Sequence, residues 1–136
     1  MSITVIRSAL EVALAAMSPA MPTAYENAPF IPVVGVAYQR AFLLTAQPEN
    51  TEMGNTRHTE IGIFQISLNY PLSTGPRDAT LRAELIRSTF YQGRTFSAGG
   101  IDATVENTPE IAPGRVEDER YVVPVKIRFF SHVIRS

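Results

Sequence analysis

The strongest constraint on the fold is a pair of long segments in which apolar and polar residues alternate. One runs from Thr59 to Tyr70 and the other from Tyr121 to Val133. Successive side chains of a strand point to opposite faces, so this alternation predicts strands with one apolar and one polar face. Such strands are typical of antiparallel sheets with one face open to water. The apolar faces hold Phe64, Ile66, Leu68 and Tyr70 in the first strand, and Tyr121, Val123, Val125, Ile127, Phe129 and Val133 in the second.

Two other segments show helical spacing. From Ile3 to Met17 apolar residues recur every three or four positions, which predicts a helix that is sandwiched in the fold or partly covered by a neighbouring subunit. A second helix is predicted from Pro76, at the tolerated first position, to about Tyr91, with Gly93 marking its end. Its buried side is predicted to hold Leu81, Leu85, Ile86 and Phe90, and its solvated side Arg82, Glu84 and Arg87.

The remaining segments supply two strands and three connections. Strands are predicted over Val33 to Leu44, which is rich in β-branched and aromatic residues, and over Ile101 to Val105. Prolines remove backbone donors, so Ser18 to Pro32 is predicted as an ordered connection and not a helix. Ala46 to Arg57 and Pro109 to Glu119 are predicted as loops.

The element order is therefore α-β-β-α-β-β, without the regular alternation of doubly wound folds. It predicts a single α+β domain over residues 1–136, with two helices packed on a mixed, mainly antiparallel sheet of about four strands. A chain of 136 residues buries roughly two-thirds of its unfolded surface, which suffices for one core. Pro124 cannot donate to a strand ladder, so the edge beside it is predicted to be unpaired or bulged.

The overall charge excludes several classes of ligand. With 12 basic and 13 acidic residues, the formal net charge is −1, so no strong field attracts nucleic acid or anionic lipid. We expect neither sequence-specific nucleic-acid binding nor a membrane partner. The apolar run from Ser8 to Met17 contains Glu11 and is too short for a membrane span, so the chain is predicted to be cytoplasmic at synthesis.

The residues that usually carry chemistry form no recognisable constellation. The chain has no cysteine, no Gly-x-Ser-x-Gly and no phosphate-binding loop. Neither His58 nor His132 has neighbours at metal-ligand spacing, and both are predicted to be solvated or at an interface. The acidic run Glu117 to Glu119 lacks the pattern of a calcium loop and is predicted to be a turn. We therefore predict no enzymatic activity and no catalytic, cofactor-binding or metal-binding residue.

Five segments nevertheless form a pattern that resembles a known family. They are Tyr25-Glu26-Asn27-Ala28-Pro29-Phe30, Gly62 to Ser67, Tyr70-Pro71, Gln92-Gly93-Arg94-Thr95-Phe96 and Val122 to Ile127. Together with the helix between them, they cover most of the chain. The chain resembles small phage and prophage proteins related to the lambda-type tail terminators, although its proline-rich entry segment departs from those relatives.

The resemblance implies a structural virion protein located in the tail and assembled in the bacterial host cytoplasm. It implies a homo-oligomer, a hexameric ring when assembled, which caps the tail tube, ends its polymerisation and joins the tail to the head connector. The implied partners are further copies of the chain, the tail tube protein and the head–tail connector protein. Whether the isolated chain is a ring or a monomer stays open.

Two alternatives remain at this point. A neck or head-completion protein has a similar size and α+β character. A small ligand-binding domain or enzyme of an unrelated class would need a polar constellation in a pocket. As assembly elements we expect the two predicted loops, Ala46 to Arg57 and Pro109 to Glu119, with plain solvent-exposed loops as the alternative.

Overall fold

The computed structural model describes residues 2–46, 57–73 and 75–134. Two helices, α1 (Ser2–Ala15) and α2 (Arg77–Thr89), lie on a sheet whose strands are connected mainly antiparallel, which confirms the predicted α+β class. The strands are β1 (Thr23–Tyr25), β2 (Tyr38–Thr45), β3 (Arg57–Pro71), β4 (Thr95–Ala98), β5 (Ile101–Val105), β6 (Glu110–Ile111), β7 (Arg115–Glu117) and β8 (Arg120–Ile134).

The two alternating segments form the centre of the sheet. Strands β3 and β8 pair antiparallel over all 15 residues of each, from Arg57 opposite Ile134 to Pro71 opposite Arg120. Both strands place their apolar residues on the same face, because partners in register point to the same side of a sheet. The two longest predicted strands are therefore confirmed and are each other's neighbours.

The predicted strand number and order are wrong. The sheet has eight strands in the described part of the chain, not about four, and its main path runs β1-β2-β3-β8-β5-β4, with β6 and β7 also pairing with β8. The extra strands β1, β4, β6 and β7 have two to four residues each. Segments this short carry no measurable alternation; they become strands because a longer strand offers them unpaired backbone groups.

The first predicted strand also begins too early. Val33, Val34 and Val36 are exposed, and β2 starts only at Tyr38. Between them Gly35 has a φ of +79°, and the Val36 N–H donates to the Val33 carbonyl, which makes a turn. Valines favour strands where they pack against neighbours, and no strand in the described part of the chain pairs with these three.

The core lies between the helices and one face of the sheet. Helix α1 packs over β4 and β5, and α2 packs over β3 and β8. The largest fully buried side chains are Phe64, Phe90, Phe129, Ile6, Leu10, Leu14, Ile66, Leu68, Ile86 and Ile127. Phe64, Phe90 and Phe96 form a chain of tilted ring contacts with centroids 6.1 and 5.1 Å apart. Both helices and this core lie on one face of the sheet. The opposite face carries no helix in the described residues.

Helix α2 turns a different side to the core than the sequence predicts. Ile86 and Phe90 are buried as expected, but Leu81 is exposed, and Arg82, predicted to be solvated, is only 6% exposed. The Arg82 guanidinium donates to the Pro19 carbonyl, while its Nε and Nη2 have no hydrogen-bond partner among the described residues. The buried side of α2 carries Ala79, Arg82, Ala83 and Ile86, so the helix turns its two alanines to the core and leaves Leu81 outside.

Pro124 pairs opposite Ser67 of β3, so one edge is intact. On the other edge the ladder is interrupted: β7 pairs with β8 up to Val122, β6 resumes at Val125, and at Pro124 only its carbonyl accepts a hydrogen bond, from the Ala112 N–H. The prediction of an irregular edge at this proline is confirmed on that side.

Candidate assembly surface

The sheet face that carries no helix is called here the open face, defined by the outward residues of β2, β3 and β8. Its side chains form cross-strand rows set by the register. One end row holds Tyr38, Asn69 and Val122, and the row near the opposite end holds Leu44, Ile63 and Arg128. Between them lie Arg40, Ser67 and Pro124, then Phe42, Gln65 and Lys126. The face is therefore a mixture of apolar, uncharged polar and basic side chains.

A groove of about 780 Å³ lies on the open face at the Tyr38 end. Its floor is formed by Arg40, Phe42, Gln65, Ser67 and Asn69. One wall is the segment 32–35, and the other is the hairpin of β7 and β8 around residues 115–120. Both walls rise on the same side of the sheet as the floor.

The first wall belongs to an exposed apolar segment, the apolar tip, defined as Ile31–Val36. Ile31 is 88% exposed, Val33 62% and Val34 96%. Three neighbouring branched apolar side chains so fully in water are unusual, because removing apolar surface from water is favourable. An apolar cluster of this kind typically marks an interaction surface.

The apolar tip is held in place by Arg120 at the start of β8. Its Nη2 donates to the Val33 carbonyl at 2.8 Å and its Nη1 to the Val36 carbonyl at 2.6 Å, while its guanidinium lies 4.9 Å from the centre of the Tyr38 ring. The Phe30 ring also packs on Tyr38, with the two ring centroids 5.0 Å apart. The exposed conformation is thus preorganised by a fork of charge-assisted hydrogen bonds.

The second wall is an acidic hairpin, defined as residues 115–120. Glu117 pairs with Arg120 across the strands, which leaves Asp118 and Glu119 as the two turn residues, with φ of +50° and +59°. The predicted turn is therefore confirmed, as a two-residue hairpin with both central φ angles positive. Glu117 is paired with Arg115 at 2.9 Å, whereas no ion pair involves Asp118 or Glu119 within the described residues.

The opposite end of the open face carries a second, smaller cavity of about 180 Å³. Leu44, Ile61 and Ile63 line it together with Arg128 and Glu106. Leu44 is 51% exposed, and Arg128 is exposed without an ion pair in the described part of the chain. This end is called the basic end, since Lys126 and Arg128 project from β8 there.

Both histidines lie at the end of the β3–β8 pair that is opposite the groove, and neither lines the groove. His58 Nε2 is 3.0 Å from Glu60 Oε1, and His132 Nδ1 is 2.9 Å from Thr59 Oγ1. Within residues 2–46, 57–73 and 75–134, no three histidine or acidic side chains cluster as metal ligands do.

A shallow groove of about 390 Å³ on the outer side of α1 contains the titratable group Glu11. Partial burial raises the pKa of the Glu11 carboxyl above its usual value; nearby Arg7 opposes this increase and Glu26 adds to it. Inside the protein, burial also raises the pKa of Tyr70 and lowers that of Arg82, and each of these two groups limits the other's shift.

Of the two predicted assembly loops, the structure describes only the second in full, and that segment is not a simple loop. Of Ala46–Arg57, residues 47–56 lie outside the described part of the chain. The Pro109–Glu119 segment is not one loop, since it contains β6 and β7, and the Pro109 carbonyl accepts two hydrogen bonds from Arg87 at 2.9 and 3.1 Å. The apolar tip was missed because its valines resemble a strand; Pro32 before them and Gly35 among them were the available signals for a turn.

The described residues form an α+β protein with helices on one face of its sheet. Comparisons with known proteins identify the family to which it belongs. The family model described as phage tail terminator protein matches residues 5–129. One solved protein structure superposes with a TM-score of 0.80 at 25% sequence identity, over 100% of this chain and 99% of that chain. No curated protein sequence matches the chain.

The chain therefore belongs to the phage tail terminator protein family, which confirms the resemblance found in the sequence. Membership indicates a structural role in the phage tail. No helix within the described residues is long and apolar enough to cross a membrane.

Proposed function

We propose that this protein forms a ring that caps the phage tail tube, ends its polymerisation and joins the tail to the head connector. The observation that carries the proposal is the family match over residues 5–129. The proposed ring is a hexamer of this chain, with the tail tube protein and the connector protein as its partners in the virion.

Features of the surface support an assembly role. The open face has no helix on it in the described residues, and the apolar tip presents branched side chains to water in a conformation fixed by Arg120. A rigid apolar projection loses little conformational entropy when it is buried by a partner, so it is suited to a protein interface. The low charge of the chain, −1 overall, fits contacts with protein better than contacts with DNA.

The test is the polymerisation of the matching tube protein with increasing amounts of this chain. A cap that binds the tube end shortens the tubes seen by electron microscopy and places one ring at an end. Sedimentation velocity of the chain, alone and with tube protein, should show a ring-sized species in at least one of the two conditions.

Unchanged tube lengths together with an absence of end-bound rings would contradict the proposal. Binding to the connector protein without any binding to the tube would instead favour a neck or head-completion role, the alternative within virion structure.

A further inference from the structure

The open face has two dissimilar ends, and their chemistry is complementary. At one end stand the apolar tip on the β2 side and the acidic hairpin on the β8 side. At the other end stand Leu44 on β2 and Arg128 on β8, with Ile63 between them. Each end thus offers an apolar group on the β2 side and a charged group on the β8 side, and the signs of the charges are opposite.

The spacing of the two ends is the same on both strands. Tyr38 and Leu44 are six residues apart on β2, and Val122 and Arg128 are six residues apart on β8. At about 3.4 Å per residue, both separations are about 20 Å. Both rows also cross the same three strands, so the β2-side and β8-side groups lie about 10 Å apart at each end. A second copy that places its apolar tip at Leu44 can therefore place its acidic hairpin beside Arg128 in the same contact.

The charges at both ends favour this contact. Asp118 and Glu119 form no ion pair within the described residues, since Arg115 is occupied by Glu117 and Arg120 by the tip carbonyls. Arg128 and Lys126 likewise have no ion pair in the described ranges, although Glu106 lines the cavity beside Arg128 and Glu110 is the cross-strand neighbour of Lys126. Opposite charges at the rim of an interface fix the orientation of the partner.

We infer that the apolar tip of one copy docks on the Leu44–Ile63 cavity of the next copy, with its acidic hairpin against Arg128. The contact is head to tail, so its two surfaces differ, and such a contact closes into a ring when its rotation closes. The inference rests on the proposed ring and supplies the contact between its subunits.

Cysteine cross-linking tests the contact directly, since the chain has no native cysteine. The double variant Val34→Cys/Leu44→Cys, treated with a short bismaleimide, is expected to give a ladder of covalent multimers up to the ring size. Val34→Cys/Val12→Cys is the matched control, because Val12 is an exposed valine on the outer side of α1. Equal ladders from the control pair, or efficient dimers from Val34→Cys alone, would overturn the inference.

Point variants give a second readout. Val34→Asp is expected to weaken self-association at least tenfold in sedimentation equilibrium, because it places a charge in an apolar contact. Val12→Asp, at a valine on the outer side of α1 that is 65% exposed, is expected to change it far less. Thermal unfolding of both variants checks that the fold is intact. Self-association as strong in Val34→Asp as in the native chain would contradict the contact, and so would loss of tube binding alone.

A charge exchange tests the orientation. Glu119→Arg and Arg128→Glu are each expected to weaken association several-fold, and the combined variant is expected to recover most of the loss. Losses that simply add would overturn the pairing.

These outcomes separate the contact from the proposed function. A cross-linked ladder in a protein that leaves tube length unchanged supports the contact and opposes the capping role. Rings that cap tubes without the Val34–Leu44 cross-link support the capping role and overturn the contact. A chain that never self-associates, alone or with tube protein, overturns both.

Discussion

Gly62 shows how one missing side chain sets the shape of the core. A Cβ at this position would lie 2.6 Å from the Leu44 carbonyl oxygen and 2.8 Å from Cζ of Phe129, the residue opposite it on β8. The Phe129 ring occupies the space that any larger residue would need. The glycine therefore permits a fully buried phenylalanine at the centre of the sheet.

We expect Gly62→Ala to lower the free energy of unfolding by about 1–3 kcal/mol, the usual cost of overpacking a core. Denaturant unfolding at a protein concentration that keeps the chain monomeric measures it. If the Phe129 ring is the cause, Gly62→Ala/Phe129→Leu will lose less than the sum of the two single losses. If the two losses are strictly additive, the clash with the Leu44 carbonyl oxygen, and not with the Phe129 ring, causes the destabilisation of Gly62→Ala.

Glu11 gives the protein a predictable dependence on pH. Burial raises its folded-state pKa above the unfolded value of 4.5, so the stability associated with the neutral carboxyl is fully present below pH 4.5 and is lost as the pH rises through the folded pKa. Glu11→Gln removes this titration. We expect the variant to be more stable than the native chain at neutral pH, and the difference to disappear below pH 4.5.

Urea unfolding of both proteins from pH 3.5 to 8 measures this difference. An unchanged difference across that range would show that the amide acts through packing and not through ionisation. Arg7→Gln is a useful companion, because Arg7 opposes the shift, and its removal should enlarge the effect of Glu11.

At the scale of elements, the hairpin between β7 and β8 carries avoidable strain. Asp118 and Glu119 both have positive φ, a region that costs L residues about 1–2 kcal/mol each and that glycine enters freely. We expect Glu119→Gly to raise the free energy of unfolding by about 0.5–1 kcal/mol, after allowing for the greater freedom of glycine in the unfolded chain.

The matched control is Glu117→Gly, which removes the same charge at a paired position of β7. It should lower stability, because glycine in a strand adds entropy cost without relieving strain. A gain of equal size in both variants would mean that the acidic charge, and not the backbone, limits the stability of this hairpin.

How far the sequence predicts an element depends on its length. Strands β3 and β8 have 15 residues each, and their alternation predicted both to within two residues. Strand β6 has two residues, and nothing in Glu110 and Ile111 distinguishes them from loop residues. Its pairing with Lys126 and Val125 depends on partners 16 and 14 positions away in the chain, which local patterns do not contain.

At the scale of the whole molecule, the topology predicts where unfolding is hardest. Strand β8 pairs with β3 along one edge and with β5, β6 and β7 along the other, whereas within the described ranges β1 pairs only with β2. Opening β8 therefore requires most of the sheet to separate. We expect amides of β3 and β8 to exchange hydrogen only through global unfolding, and amides of β1 to exchange through local opening.

Native-state hydrogen exchange in increasing denaturant measures these two routes. Amides at Ile66 and Val125 should share the global free energy of unfolding and its denaturant slope, and the amide of Ala24 should show a smaller value that varies little with denaturant. Exchange at Val125 as fast as at Ala24 would contradict the central position assigned to β8.

The sequence by itself determined the fold class, the two long strands, both helices and the family pattern, because each of these depends on periodicity or residue type within a continuous segment. It also predicted a turn in the acidic run Glu117 to Glu119, which lacks the pattern of a calcium loop, and the turn residues are Asp118 and Glu119. The tertiary structure decided the rest. Arg82 is buried because α2 turns the side that carries Ala79 and Ala83 to the core. Val34 is exposed because Arg120, 86 positions further along the chain, holds the turn before β2. Contacts between residues that are far apart in the sequence decide which apolar side chains enter the core and which stay exposed for a partner. Local sequence patterns contain no information about such contacts.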